Sequence, residues 1–348
     1  GDLSAAFGLD LDLWGRNRAA LAAARGEADA ARVDAAQARL MLASSVAMSW
    51  GQLAALEASR GYAQNSADAL AAVERLTADR QREGLDNNAD LALATARRAA
   101  AQQAVAALDE AVALERNRLA ALIGTGPDRA RSLPHPAPDL AVVNGVPENL
   151  AINLVGRRPD LVSARLRAEA AASRVKAARL AYFPDINLNA LAGLQSIGLS
   201  NLFASDSSYA RFGAAISLPL FQGGQLRGHY DAASAGYDEA VARYNQTLLN
   251  AVREVADTLD SRRALNSRLA AARDGATAAN DAARLLRLRY REGLANLLQV
   301  LTAEDAAFAA QRNLAELENR AFILDATLVR ALGGGFAAPV SGMEHTSQ

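Results

Sequence analysis

Side chains able to do covalent or metal chemistry are few in this 348-residue chain, and they are scattered. There are three histidines: His135 between prolines, His229 close to a helix start and His345 near the end. There is no cysteine, which removes disulfides, thiolate metal sites and cysteine nucleophiles together. No histidine stands in a cluster with acids, so no catalytic residue, bound cofactor or metal is expected, and the chain does not read as an enzyme. Gly223-Gly224 lacks the G-x-x-x-x-G-K-[ST] spacing of a phosphate loop and reads as a strand-to-helix turn. What remains is the chemistry of surfaces. The segments Arg80–Leu85 and Arg289–Leu294 both end in Arg-Glu-Gly-Leu, with Arg82, Gly84 and Leu85 matching Arg291, Gly293 and Leu294. Leu298, Thr302 and Asp305 lie at i, i+4 and i+7, hence on one face of a helix.

These segments belong to a duplicated framework. Leu13-Trp14-Gly15-Arg16 returns as Leu220-Phe221-Gln222-Gly223-Gly224, Arg82 as Arg291, and Ala121-Leu122-Ile123-Gly124 as Ala331-Leu332-Gly333-Gly334, at offsets of 207, 209 and 210 residues. Solenoid repeats run about 20 to 50 residues, so the duplicated unit must be large and elongated. Composition agrees: 51% of residues are hydrophobic but only 5% aromatic, and alanine dominates. Alanine favours helix and buries little area, which suits long, closely approaching helices better than a thick core. A net charge of −1 offers no electrostatic reason to expect nucleic acid as a partner.

Residues 7 to 14 alternate, Leu9, Leu11 and Leu13 against Asp10 and Asp12, which predicts a strand ending in Trp14 and a glycine. Arg16 to about Arg82 is free of proline and predicts a helix roughly 100 Å long. A turn at residues 84 to 88 leads to a second helix ending near Leu122, with Gly124-Thr125-Gly126-Pro127 as its stop. Pro134, Pro136 and Pro138 mark a linker, Pro147 opens a short helix, and Pro159 starts another that runs to about Ala181. Two further alternating strands follow Phe183-Pro184 and the polar loop 195–208. After Gly223-Gly224 comes a long helix to Tyr290, on which Tyr230, Tyr237 and Tyr244 are spaced by seven as in a coiled-coil seam. A closing helix spans about 294–332 and stops at Gly333-Gly334-Gly335. The expected organisation is a first, incomplete repeat (1–124), a linker or equatorial segment (125–146), a second repeat (147–335) and a disordered tail (336–348).

No apolar run reaches the roughly 18 residues of a membrane-spanning helix. The strands, polar on one face and apolar on the other with an aromatic near the end, instead carry the weak signature of outer-membrane barrel strands. Gly1 is not a natural start, and a strand-like pattern begins at once, so the chain is expected to be a fragment or processed product.

Several motifs resemble one known family. Arg158-Pro159-Asp160, Ala168-Glu169, Ala177-Ala178, Phe183-Pro184-Asp185-Ile186, Leu218 through Gly224 with Arg227, and Leu298-Gln299-Val300-Leu301-Thr302-Ala303 with Gln311 are similar, in order, to the signatures of outer-membrane efflux proteins of the TolC/OprM-like type, in particular the NodT-type drug-efflux lipoprotein branch. The resemblance covers about residues 5 to 335. It implies a mainly α fold with a small membrane β part: long antiparallel helical hairpins as staves of a tunnel, plus strands of a trimeric, twelve-stranded barrel. It also implies a location in the outer membrane with the tunnel in the periplasm, and passive export of small molecules and drugs, hence multidrug resistance. The implied partners are two further copies, outer-membrane lipid, a periplasmic adaptor (membrane fusion protein) and an inner-membrane pump of the RND type. Against the family plan, the first strand, the helices before it, and the signal with its lipid-accepting cysteine are absent from this sequence.

The resemblance also assigns roles. Arg80, Arg82, Gly84, Leu85, Arg289, Arg291, Gly293 and Leu294 would be hairpin tips that dock the adaptor, the glycines permitting close approach, the leucines giving apolar contact and the arginines polar anchors. Leu298, Thr302 and Asp305, repeated by threefold symmetry, would form the pore constriction, leucine rings acting as a dewetting barrier and acid rings favouring cations. Relatives often carry Asp at the place of Thr302 and a basic residue at that of Asp305, so this chain departs from the family's charge pattern there. A protein-secretion duct of type I is an alternative in the same class. A soluble coiled-coil scaffold is an alternative outside it, against which the alternating strands and Phe183-Pro184 speak.

Overall fold

The computed structural model describes residues 2–135, 157–197, 203 and 207–336. The predicted helix at Pro147, residues 136–146 of the linker, His345, the tail from 337 and most of the loop before the last strand lie outside the described residues. The elements, in order, are β1 (Asp2–Asp10), α1 (Arg16–Arg82), α2 (Asn88–Leu122), α3 (Pro127–Ala130), α4 (Pro159–Leu180), β2 (Asp185–Gln195), β3 (Ser208–Ser217), α5 (Gln225–Arg291) and α6 (Leu297–Ala331). The two longest helices are both 67 residues and their partners α2 and α6 both 35. By contacts the chain divides into one unit of residues 1–37, 156–250 and 337–348 and another of 38–155 and 251–336, so α1 and α5 each contribute to both.

In the first unit the strands form a single antiparallel sheet in the order β1-β2-β3, in which Phe7 faces Ala190 and Ala190 faces Phe212. The strands are therefore paired with one another, and among the described residues the outer edges of β1 and β3 have no partner strand. The first strand differs from the expected 7–14: it spans Asp2–Asp10, and residues 11–15 form a turn. The cause is local hydrogen bonding. The Leu11 amide still donates to the Ile186 carbonyl (2.9 Å), but that of Leu13 donates back to Leu11 (2.6 Å), and Asp12 accepts from the Asn17 and Arg18 amides at 2.9 and 3.0 Å, capping α1. Glycine at position 15, with φ of 85°, completes the turn.

Alanine-rich helix packing follows from small residues at heptad spacing. Ala19, Ala23, Ala30 and Val33 of α1 are buried, and Gly26 lies so close to α4 that a Cβ there would stand 3.0 Å from that of Ala170. Ion pairs flank this contact, Arg174 to Glu27 at 2.8 Å and Arg167 to Asp34. On α5, Tyr230, Tyr237 and Tyr244 hold the heptad register of Ala251, Thr258 and Leu265, but only the last three are buried. The tyrosine seam lies in the first unit and is half-exposed to exposed there.

In the second unit two helical hairpins are cross-tied by polar pairs. Glu57–Arg116 and Glu74–Arg98, both at 2.6 Å, join α1 to α2. Arg287–Glu304 at 2.8 Å, Asn280–Gln311 at 2.6 Å, and Arg273–Glu318 and Arg262–Asp325 at 3.2 Å join α5 to α6. The hairpins meet where Asn319 donates to Gln52 (2.7 Å) and the Phe322 ring lies over Gly51, where a Cβ would come within 2.4 Å of it. The apolar core near the turns is Leu70, Val73, Ala94, Tyr290, Leu297, Val300 and Leu301. Apolar burial drives the pairing, and the polar rungs tie facing positions of neighbouring helices.

Candidate docking tips, pore-facing helix face and membrane-facing sheet

Both tips are built by the same backbone device. In the first, the Leu85 amide donates to the Arg80 carbonyl (2.8 Å) and that of Gly84 to Gln81 (3.0 Å). In the second, Leu294 donates to Arg289 (2.7 Å) and Gly293 to Tyr290 (3.0 Å). This is the Schellman closure, which needs a left-handed residue, and Gly84 and Gly293 supply it with φ of 78° and 76°. Asn87 and Asn296 then open the returning helices with reciprocal capping boxes to Asp90 and Gln299. At each tip a leucine is left bare, Leu85 at 62% and Leu294 at 68% exposure.

The side chains break this symmetry. Arg80 is half-buried: it pairs with Asp86 (Nε–Oδ2 2.9 Å), its guanidinium sits 4.9 Å from the Tyr290 ring centroid, and it donates to the Tyr290 carbonyl (3.4 Å). The Tyr290 hydroxyl donates to Asp86 at 2.7 Å and lies 2.9 Å from that of Thr77. Burial pushes Tyr290 up to about 12, with the Asp86 carboxylate adding to it. Burial works to raise Asp86 too, but the bonds from Arg80 and Tyr290 together hold it below the usual carboxylate range. Arg82, Arg289 and Arg291 are exposed; Arg82 pairs with Asp79, and Arg289 reaches the Leu294 carbonyl at 3.5 Å. Of the four predicted anchors, three remain on the surface while Arg80 ties the two hairpins together.

Leu298, Thr302 and Asp305 form one exposed stripe on α6, opposite buried Val300, Leu301, Ala303 and Ala307. The Thr302 hydroxyl donates to the Leu298 carbonyl at 2.8 Å. Asp305 is paired with Arg97 of α2, Nη1–Oδ2 3.2 Å. Beside it the buried Glu304 meets Arg287, and burial raises this carboxyl despite the arginine.

The sheet sorts its residues by face. Directly paired residues share a face, so Leu3, Ala5, Phe7 and Leu9 join Ile186, Leu188, Ala190, Ala192 and Leu194, and Ala210, Phe212, Ala214 and Ile216, in one apolar surface. The other face carries Asp2, Ser4 and Asp10, Asp185, Asn187 and Asn189, and Tyr209 and Arg211, with Leu191 the large apolar exception. The apolar face is uncovered: Phe7, Phe212 and Ile216 are each at least 66% exposed. Where β1 turns into α1, Trp14 stacks on Phe183 at 5.2 Å and donates to the Pro184 carbonyl (2.9 Å), while Arg16 bonds Asp185 (2.7 Å). At the matching turn after β3, Phe221 is 99% exposed.

His135 lies against Glu57 (2.9 Å), which also holds Arg116, and Arg116 donates to the Leu133 carbonyl (2.9 Å). That cluster fastens the chain after α3 to the first hairpin. Among the described residues no group of three His, Cys, Asp or Glu could hold a metal, and no helix is long and apolar enough to cross a membrane. Sequence reasoning missed Tyr290, Asp86 and Arg97. A signal existed for the first two, because the duplicated tips match except where Gln81 stands for Tyr290 and Asp86 for Ala295. Arg97 had none.

Comparison with known proteins agrees with this geometry. The model of the outer membrane efflux protein family matches residues 2–125 and 151–334. The multidrug resistance outer membrane protein MdtP of Escherichia coli O6:H1 is 32% identical over 336 residues, covering 96% of this chain and 68% of that protein. Outer membrane protein OprJ of Pseudomonas aeruginosa is 30% identical, covering 94% and 68% respectively. Among solved structures, the outer membrane protein VceC of Vibrio cholerae aligns with a TM-score of 0.90 at 39% identity, over 97% of this chain and 80% of that one. The outer-membrane channel OprN aligns at 0.89 and 25% identity, over 97% and 82%. An uncovered apolar sheet face feeding long helical hairpins is what such a channel requires, and this chain belongs to the outer membrane efflux protein family: it is an outer-membrane channel protein with a mainly α fold.

Proposed function

We propose that the chain is one protomer of a homotrimeric exit duct, through which small molecules, drugs among them, leave the cell passively. Its strands join those of other copies in a barrel, and its hairpins are staves of a periplasmic tunnel. An inner-membrane pump of the RND type supplies the energy through a periplasmic adaptor, which docks on the tips by the bare Leu85 and Leu294 and the exposed Arg82, Arg289 and Arg291. The observation that carries this reading is the three-stranded sheet. Its apolar face carries exposed Phe7, Phe212 and Ile216, its two outer edges have no partner strand among the described residues, and β1 and β3 run the same way into the two 67-residue helices. In lipid, unpaired strand edges are not tolerated, so closure with further strands is required, and lipid is the natural cover for the apolar face. Trp14, Tyr182, Phe183 and Phe221, exposed around the strand–helix turns, suit the aromatic belt at a membrane interface.

Membrane fractionation and planar-bilayer conductance of the full-length protein test the duct; recovery as a soluble, non-conducting particle would overturn it. Charge reversal at Arg289 and Arg291 together is expected to weaken crosslinking to the adaptor. Undiminished crosslinking would return these residues to the role of a solvated turn.

A further inference from the structure

We propose that Arg97 is a selectivity-determining residue: by holding Asp305 it cancels the charge at the constriction and leaves an aperture suited to neutral and amphiphilic solutes rather than bare cations. This rests on the reading of Leu298, Thr302 and Asp305 as the pore-lining stripe. A free acid repeated by symmetry would attract cations. Here the acid is not free: Arg97 Nη1 approaches Asp305 Oδ2 to 3.2 Å from a different helix, and both side chains are about half-exposed, on the same surface as Leu298 and Thr302. Neighbouring charges are committed elsewhere. Arg98 meets Glu74 at 2.6 Å, and Glu304, next to Asp305, meets Arg287 at 2.8 Å, so α6 carries two consecutive acids, each balanced by an arginine from another helix. Two opposite charges this close present a dipole, whose potential falls off faster than that of a single charge and is screened within about 8 Å at physiological salt. The rest of the stripe adds no charge. Leu298 is 63% exposed, and the hydroxyl hydrogen of Thr302 is spent on the Leu298 carbonyl.

Because half-exposed pairs contribute little to stability, variants of this pair are expected to fold and insert, checked by their recovery in the outer membrane. Reversal potentials in planar bilayers under a KCl gradient provide the test. Arg97→Gln, which unmasks the acid, is expected to raise the preference for K⁺ over Cl⁻ by about fivefold, the Boltzmann weight of one unit charge at about 4 Å in a water-like dielectric. Asp305→Asn shifts it the opposite way, and the double variant returns close to the parent. If Asp305→Asn shifts the potential while Arg97→Gln does not, the proposal is overturned and the constriction reading stands. Leu298→Cys separates the remaining case, with the parent protein, treated with the same thiol reagent, as the control. If a charged thiol reagent fails to reduce current through Leu298→Cys and neither charge variant shifts selectivity, the constriction reading fails and takes the proposal with it.

Discussion

The two hairpin tips share a backbone and differ in what their side chains do with it. Each closes on a left-handed glycine with the same pair of hydrogen bonds and restarts on an asparagine cap. At one, Arg80 folds inward onto Asp86 and Tyr290; at the other, Arg289 stays on the surface. Two positions account for the difference, Gln81 against Tyr290 and Asp86 against Ala295. Duplication supplied the turn twice, and one ring with one acid holds the first tip's Arg80 against the second hairpin, while the matching Arg289 stays at the surface. The strand–helix turns repeat the lesson, with Trp14 stacked and hydrogen-bonded while Phe221 is bare.

The sharpest way to break the comparison is Tyr290→Ala. It empties a buried site and leaves Arg80 and Asp86 without their cover, with an expected loss of about 3 to 5 kcal/mol in thermal or denaturant unfolding. Gln81→Ala, at the matching position, is expected to cost under about 0.5 kcal/mol; equal losses would show that the tips are not different in kind. Trp14→Ala comes next, at about 2 kcal/mol for the lost stacking and hydrogen bond, against almost none for Phe221→Ala in detergent. Gly84→Ala and Gly293→Ala sharpen the backbone half of the argument. No atom crowds either site, the nearest being an Arg80 nitrogen 4.0 Å from the Cβ position at Gly293. Each is therefore expected to cost only the torsional penalty of about 1 to 2 kcal/mol, equally at both tips.

The same tie also responds to pH. Tyr290 titrates near 12 when folded and near 10 when unfolded, so the folded state holds the extra proton between these values and the tie weakens as pH rises from 10 towards 12. Asp86 is depressed, so its contribution is present above the ordinary carboxylate pKa and is lost as pH falls through the folded value. The unfolding free energy from denaturant titration should fall at both extremes in the parent, and the alkaline loss should shrink in Tyr290→Phe.

Much of the fold was legible because it is periodic. Long runs without proline, heptads of alanine, and glycines at fixed offsets specify helices, stripes and turns by local rules, and the ends of α1, α2, α4 and α5 lie where capping and breaking residues predict them. The first strand was less legible. Asp12 alternates like a strand residue, yet its carboxylate has a stronger use in capping two amides of α1, and sequence alone does not weigh the two.

By itself, then, the sequence determined the helices, the turns, the alternation of the strands and the stripe of Leu298, Thr302 and Asp305, since each depends on residues a few positions apart. Tertiary structure decided which charges are free. Whether Arg80 is an anchor or a tie, and whether Asp305 acts as an acid or as half of a pair with Arg97, depends on partners more than two hundred residues away. Electrostatic fields are set by distance in space, and no spacing along the chain reports it.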